Sequence, residues 1–342
     1  MQRPHRLLFP LGAALAWVGV LPWLFFSLQL RGVYEPLNAV LAYRSFLHPL
    51  AELEGFFGCF AAGLVFERHP PGRALLALAI AAPIAAAALG AIGQWQLGQL
   101  VWLVFAASVV AGLPRRIWPL AGVAMGAIGA ALAMQGDFRF HELGRDLVMQ
   151  GMFAAFAVAA GMALRGDAPR WRMLHALGAL LLAASFLVRA QHLAFALRAL
   201  VLTAVASPLR PPFEFGPREL RRSFAHMALW LLAIGNAWVA LSPPVKRAGL
   251  HVVFLGSFAA LLVAALVGMR ADLKKLGACA ALFALSMLGR ALVELDPGSF
   301  HLWMGISSAA FLIASVVLVR TKGAPQPSPL AAAAAEPRRT AA

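Results

Sequence analysis

An all-α bundle of about twelve membrane-spanning helices, with both termini on the cytoplasmic side, is the fold class this sequence predicts, on three observations. The 342 residues are 61% hydrophobic and only 13% charged, with a mean hydropathy of +0.78. A soluble domain is nearer half apolar, so lipid must be part of this chain's solvent. The apolar residues come in blocks of about 17 to 24, each long enough to cross a hydrocarbon core of about 30 Å as a helix. Alternate breaks between the blocks differ in charge, as the positive-inside rule requires of a multi-pass protein.

Apolar blocks bounded by charged or Pro/Gly-rich breaks fall near 7–30, 46–66, 73–93, 97–113, 117–134, 145–164, 172–188, 191–207, 224–241, 248–269, 275–293 and 300–319. Helices are the forced choice because lipid cannot satisfy backbone polar groups, and no long alternating pattern points to a barrel. The first block is too long for the short apolar core of a cleavable signal and reads as the first span. Of the 29 Lys and Arg, 20 fall in the N-terminal segment, the even-numbered breaks and the tail, against 8 in the odd-numbered breaks; Arg198 alone is placed inside a span. Both termini are therefore expected on the cytoplasmic side of a cytoplasmic (inner) membrane. Residues 1–321 read as one membrane domain without an evident internal repeat. Residues 322–342, rich in Pro and Ala, read as a disordered cytoplasmic tail.

The same distribution removes nucleic acid as a partner. A net charge of +15 would be its electrostatic footprint if the basic residues formed a stripe among aromatics, but they sit in short breaks between spans. The partner this implies is the lipid bilayer, with room for a small-molecule ligand. Cys59 and Cys279 each lie within an apolar block and read as small core residues, not a disulfide or zinc pair. No GxSxG, Walker, HExxH or CxxCH pattern occurs, so no catalytic residue is assigned.

Ionisable residues inside spans are costly and carry the functional signal. Arg198 lies about seven residues, roughly 10 Å, inside its span. It reads as half of an ion pair or as a contact to substrate or cofactor. Glu52 and Glu54, at a similar depth in the second span, are its expected partners. His48 and Glu52, four apart, share a helical face, whereas Glu54 points elsewhere. His48, His192, His251 and His301 each open a span from the outer side. Neutral imidazole is the common ligand of transition metals and haem iron, so the four form a candidate site, with His251 and His48 the candidate metal ligands. Taken singly, each of them is better explained by interfacial solvation. Met149 and Met152, three apart, add thioethers that suit Cu(I) or ordinary packing.

Two segments carry a family resemblance. HPLAELEGFFGCFAAGLVFERHPPGR resembles the second span of the NnrS family, with Glu54, Phe57, Gly58, Gly63 and Gly72 at the matching places. AGLHVVFLGSFAALLVAALVGMR resembles a late span of that family through His251, Gly256, Met269 and Arg270. The resemblance implies twelve spans, haem and copper as cofactors, and a link to nitric oxide and metal stress. The chain departs from the pattern where the family has two histidines before the second-span acid, here Ala51 and Leu53, and where it has a Gly-His pair, here ADLKKLG. The expected function is an NnrS-like protein holding haem or copper at an outward-facing site, with Glu54 and Arg198 tuning it. The alternatives are a secondary transporter for a small, anionic substrate and a cofactor-free scaffold.

Overall fold

The computed structural model of the protein describes residues 4–40, 46–113, 117–166, 172–207, 217–267 and 272–321. Among them every regular element is helical. The helices are α1 (His5–Ser27), α2 (Arg31–Val40), α3 (His48–Glu67), α4 (Arg73–Ala91), α5 (Trp95–Ala111), α6 (Ile117–Ala133), α7 (Phe138–Arg165), α8 (Arg172–Leu187), α9 (Gln191–Ala206), α10 (Glu219–Leu241), α11 (Pro243–Val267), α12 (Leu273–Leu295) and α13 (Pro297–Arg320). Eight of these are long and apolar enough to cross a membrane, while α5, α6, α8 and α9 are shorter apolar helices. Each of the twelve apolar blocks of the sequence coincides with one helix. The tail 322–342, Met269 and Arg270 lie outside the described residues.

The helices fall into three units of four: α1, α3, α4 and α5; α6, α7, α8 and α9; and α10 to α13. Within each unit the first helix packs on the second and the third on the fourth. The units close into a ring, since α5 packs on α6, α9 on α10 and α13 on α1. The second helix of each unit lies innermost. In α3, α7 and α11 the best apolar window is 72, 72 and 78% buried, against 33–50% in the other five long helices. The apolar stretches of the three inner helices are therefore enclosed mostly by protein.

This triplication overturns the expectation of no repeat, and it rests on a shared register. Each inner helix carries one π-helical stretch, Ala51–Phe57, Leu147–Met152 and Val252–Phe258, a geometry that is rare and concentrates at functional sites. Each stretch begins four residues before a glycine, Gly55, Gly151 or Gly256, and a phenylalanine follows two after it, Phe57, Phe153 or Phe258. Phe258 meets both of the others, with ring centroids 5.2 and 6.1 Å away. The first helix of each unit carries a matching glycine, Gly19, Gly129 or Gly235. Four residues earlier Leu15, Met125 or Leu231 lies against the π-stretch glycine. Small residues at these crossings let the backbones approach, which is how helices associate where lipid removes the hydrophobic drive.

The three crossings are not identical, and the difference makes a site. Seven residues before the π-stretch glycine, units two and three have Gly144 and Gly249. A Cβ built on Gly129 or Gly235 would lie 2.6 Å from the facing Gly144 or Gly249 carbonyl oxygen. In unit one the equivalent residue is His48. There the approach loosens, a Cβ on Gly19 lying 3.4 Å from the His48 carbonyl oxygen. The imidazole occupies the crossing and donates from Nδ1 to the Gly19 carbonyl at 2.7 Å.

Helix α2 falls in a stretch expected as a loop. Its Tyr34 is 2% exposed and packs on Trp23 and Phe26 of α1, covering the C-terminal end of that helix. At the turn into α13, Asp296 accepts from Trp303 Nε1 at 2.9 Å. That bond, with those from Ser299, holds its carboxyl below the usual carboxylate range. A depressed carboxyl stabilises the fold above its unfolded value of about 3.9 and loses that contribution as pH falls through the folded value. Thermal midpoints in detergent should therefore drop below about pH 4 more steeply for the native chain than for Asp296→Asn.

Candidate functional site

A cavity sits at the seam between units three and one, lined by α1, α3, α11, α12 and α13. Its polar wall consists of His48 and Glu52 from α3, His251 from α11, Arg290 and Ser286 from α12, and Met304, Ser307 and Ser308 from α13. Two of the four candidate histidines thus meet, and they are the two expected as metal ligands. His48 Nδ1 lies 3.6 Å from Glu52 Oε1, as their four-residue spacing requires. His251 donates from Nδ1 to the Arg247 carbonyl at 2.6 Å, which makes its Nε2 an acceptor.

Arg290 supplies the donor. Its Nε donates to His251 Nε2 at 3.1 Å and its Nη1 to Met304 Sδ at 3.0 Å, with Cζ 6.0 Å from the Trp23 ring centroid. The guanidinium also acts on the charge of Glu52. Sequence reasoning missed this residue, because Arg290 was counted with the basic residues of a loop. It lies in α12, five residues before the helix ends, within the span drawn at 275–293, and a second arginine inside an apolar block was the available signal. Met304 was also missed, one turn after the expected His301.

The other two histidines do not join the cavity. His301 lies between Phe26 and Phe300, each with its ring centroid 5.4 Å away, and its Nδ1 is buried without a hydrogen bond. His192 is exposed at the start of α9. Both stand near the start of a helix, but neighbouring helices turn them in other directions. Met149 and Met152 are also remote from it. Met152 packs against Gly126 and weakly accepts from Gln99 Nε2 at 3.7 Å.

The expected pairing of Arg198 with Glu52 or Glu54 is overturned. Arg198 is 5% exposed and stays within unit two. Its Nη1 donates to Gln150 Oε1 at 2.9 Å and its Nε to Ser185 Oγ at 3.0 Å, with Phe186 and Phe195 against the guanidinium at 3.6 and 4.4 Å. Gln150 in turn donates to Asp146 Oδ1 at 2.9 Å, and Lys246 Nζ stands 3.7 Å from Asp146 Oδ2. Depth placed Arg198 and the two glutamates at one level, but α9 and α3 belong to different units. A third polar group missed from sequence lies at the C-terminal ends of α7 and α9, where His226 accepts from Trp230 Nε1 at 3.0 Å and faces Arg165 Nη1 at 3.3 Å.

Neither expected cofactor fits the cavity as its residues stand. The space open to the centre of a water-sized sphere is about 20 Å³, enough for a water molecule or a small ion and far from a porphyrin. For copper, the suitable donors are the His48 ring, His251 Nε2 and the Met304 thioether, and the last two already accept hydrogen bonds from Arg290. Among the described residues no three His, Cys, Asp or Glu gather around a point. Searches of family models, of curated proteins and of solved structures find no match to this chain.

Proposed function

We propose that this chain is a twelve-span protein of the cytoplasmic membrane, with both termini on the cytoplasmic side, whose outward cavity binds a small anion in the manner of a permease. Support for twelve spans comes from the repeat. Each of the short helices α5, α6, α8 and α9 holds a place in its unit that a long helix holds in another, so all twelve share one plan. Support for sidedness comes from the Lys and Arg bias, which persists with Arg290 moved into a helix.

The observation that carries the ligand is the Arg290 bond to Met304. A thioether is a weak acceptor, and here it takes a guanidinium N–H inside a cavity. A small oxyanion or halide would replace it with a charge-assisted bond, roughly twice as strong. Ser286, Ser307 and Ser308 hydroxyls and the His48 ring line the same space. Glu52 offsets part of the positive charge, which favours a singly charged ligand.

A second reading is favoured by the donor set itself. His48, His251 and Met304 would suit Cu(I) if the guanidinium were absent, and copper at His251 is what the likeness to the NnrS family implies. On that reading the chain is a divergent NnrS-like protein in which Cu(I) displaces the Arg290 bonds to His251 and Met304. One variant separates the two. In detergent, chloride, formate and nitrate are titrated calorimetrically and Cu(I) by competition with a chelator. Anion affinity is expected to fall at least about tenfold in Arg290→Gln, the equivalent of about 1.4 kcal/mol. Stoichiometric Cu(I) bound by the native chain and lost in His251→Ala would replace the anion reading with the copper one.

A further inference from the structure

A second buried polar group stands apart from the outward cavity, at the contact between α3 and α5. Glu54 is fully buried, and neither of its carboxyl oxygens has a hydrogen-bond partner. The side chain facing it is the Gln99 amide, also fully buried. Gln99 Oε1, Trp95 Nε1 and Trp102 Nε1 are buried and unpartnered as well. These three residues lie on one face of α5, spaced four and three apart. With Trp102 Nε1 against Gly58, one turn after Glu54, the site gathers four of the eight buried unpartnered side-chain atoms found among the described residues. Buried polar groups are normally paired, so their concentration at one contact is the anomaly that needs a chemical reason.

The repeat supplies a comparison. Glu54 occupies the position immediately before the π-stretch glycine, and its equivalent in unit two is Gln150. Both reach the fourth helix of their own unit. In unit two the partner is the cation Arg198, held at 2.9 Å by a neutral amide that passes the contact on to Asp146. In unit one the roles are exchanged, with the acid on the inner helix and a neutral amide on the fourth. No cation among the described residues answers it. Among the described residues α5 presents Gln99 and Trp102 and α7 presents Met152 to this contact, while Glu52, two residues away, turns into the outward cavity. An ionised carboxylate left unpaired here would cost several kcal/mol or more, whereas a carboxylic acid can both donate to Gln99 Oε1 and accept from an amide or indole N–H.

We infer that Glu54 is an exchangeable proton site of the bundle interior, a carboxylic acid whose proton leaves to water and is regained, with Gln99 as the amide that bonds both forms. The step moves only a proton, and the O–H bond broken is the one remade. The site is independent of the anion cavity, which uses other residues of α3.

Infrared absorption of the whole protein in lipid tests this. At neutral pH the native chain should show a protonated-carboxyl C=O band, clear of the carboxylate region, that shifts to lower frequency in D2O. Glu54→Gln should remove that band completely. Glu52→Gln and Arg290→Gln should leave it in place, and Gln99→Leu should move it to higher frequency through loss of the hydrogen bond. Should Glu54→Gln fail to fold, Glu54→Asp with isotope-labelled glutamate makes the same assignment. A neutral-pH spectrum without a Glu54-dependent acid band overturns the inference. So does an acid band that stays unshifted through prolonged exchange into D2O, which would mark a static acid.

Discussion

Gly249→Ala is expected to lower stability by about 3 kcal/mol, the upper end of the cost of overpacking, although alanine is the better helix former. A Cβ at Gly249 would lie 2.6 Å from Val239 Cγ2 and 2.7 Å from the Gly235 carbonyl oxygen. The second contact is backbone, which cannot rotate away, so α10 and α11 must separate. The same substitution at Gly277 of α12, where a Cβ would meet nothing within 4 Å, should be neutral or stabilising by up to about 1 kcal/mol. Opposite signs for one chemical change isolate the crossing from helix propensity. Cys59 and Cys279 are 1% and 0% exposed, so a thiol-reactive dye reports unfolding in detergent. Equal midpoints for the two variants would remove the close crossing from the account.

Arg198→Ala should cost a similar amount, about 3 kcal/mol, because two hydrogen bonds from a charged donor are lost at roughly 1.5 to 3 kcal/mol each before neighbours readjust. The change leaves Gln150 Oε1 and Ser185 Oγ without their donor and removes the cation between Phe186 and Phe195. Arg198→Lys should recover only part of this loss. A single ammonium cannot span both acceptors while lying flat against two rings. Adding Gln150→Leu to Arg198→Ala should cost less than the two changes separately, since removing both partners avoids an orphaned group. Full recovery by lysine would mean that charge alone matters at this site.

Much of the candidate site was legible because it depends on one coordinate, depth. Span ends and charge bias placed His48, His251, His192 and His301 at the outer level, and the four-residue step from His48 to Glu52 placed both on one face. Direction around the bundle was not legible. It separates His301 and His192 from the cavity, sends Arg198 to Gln150, and brings in Arg290 from a helix some forty residues away in sequence. The triple repeat was nearly hidden for a related reason. The units share glycines and one phenylalanine per inner helix, while their polar positions have diverged to His48, Glu52 and Glu54 in one unit and Asp146 and Gln150 in the next.

The sequence by itself determined that the chain is helical and lipid-solvated, where each apolar block lies, and which few ionisable residues stand inside those blocks. Those properties follow from transfer free energy and from backbone hydrogen bonding, both of which are local. Only the tertiary structure decided that the blocks form three equivalent units, that His48 and His251 line one cavity with Arg290, and that Glu54 meets an amide and, among the described residues, no cation. These depend on which small residues allow two backbones to touch, and glycines that meet across a crossing, such as Gly129 and Gly144 or Gly235 and Gly249, look like any others in a linear reading.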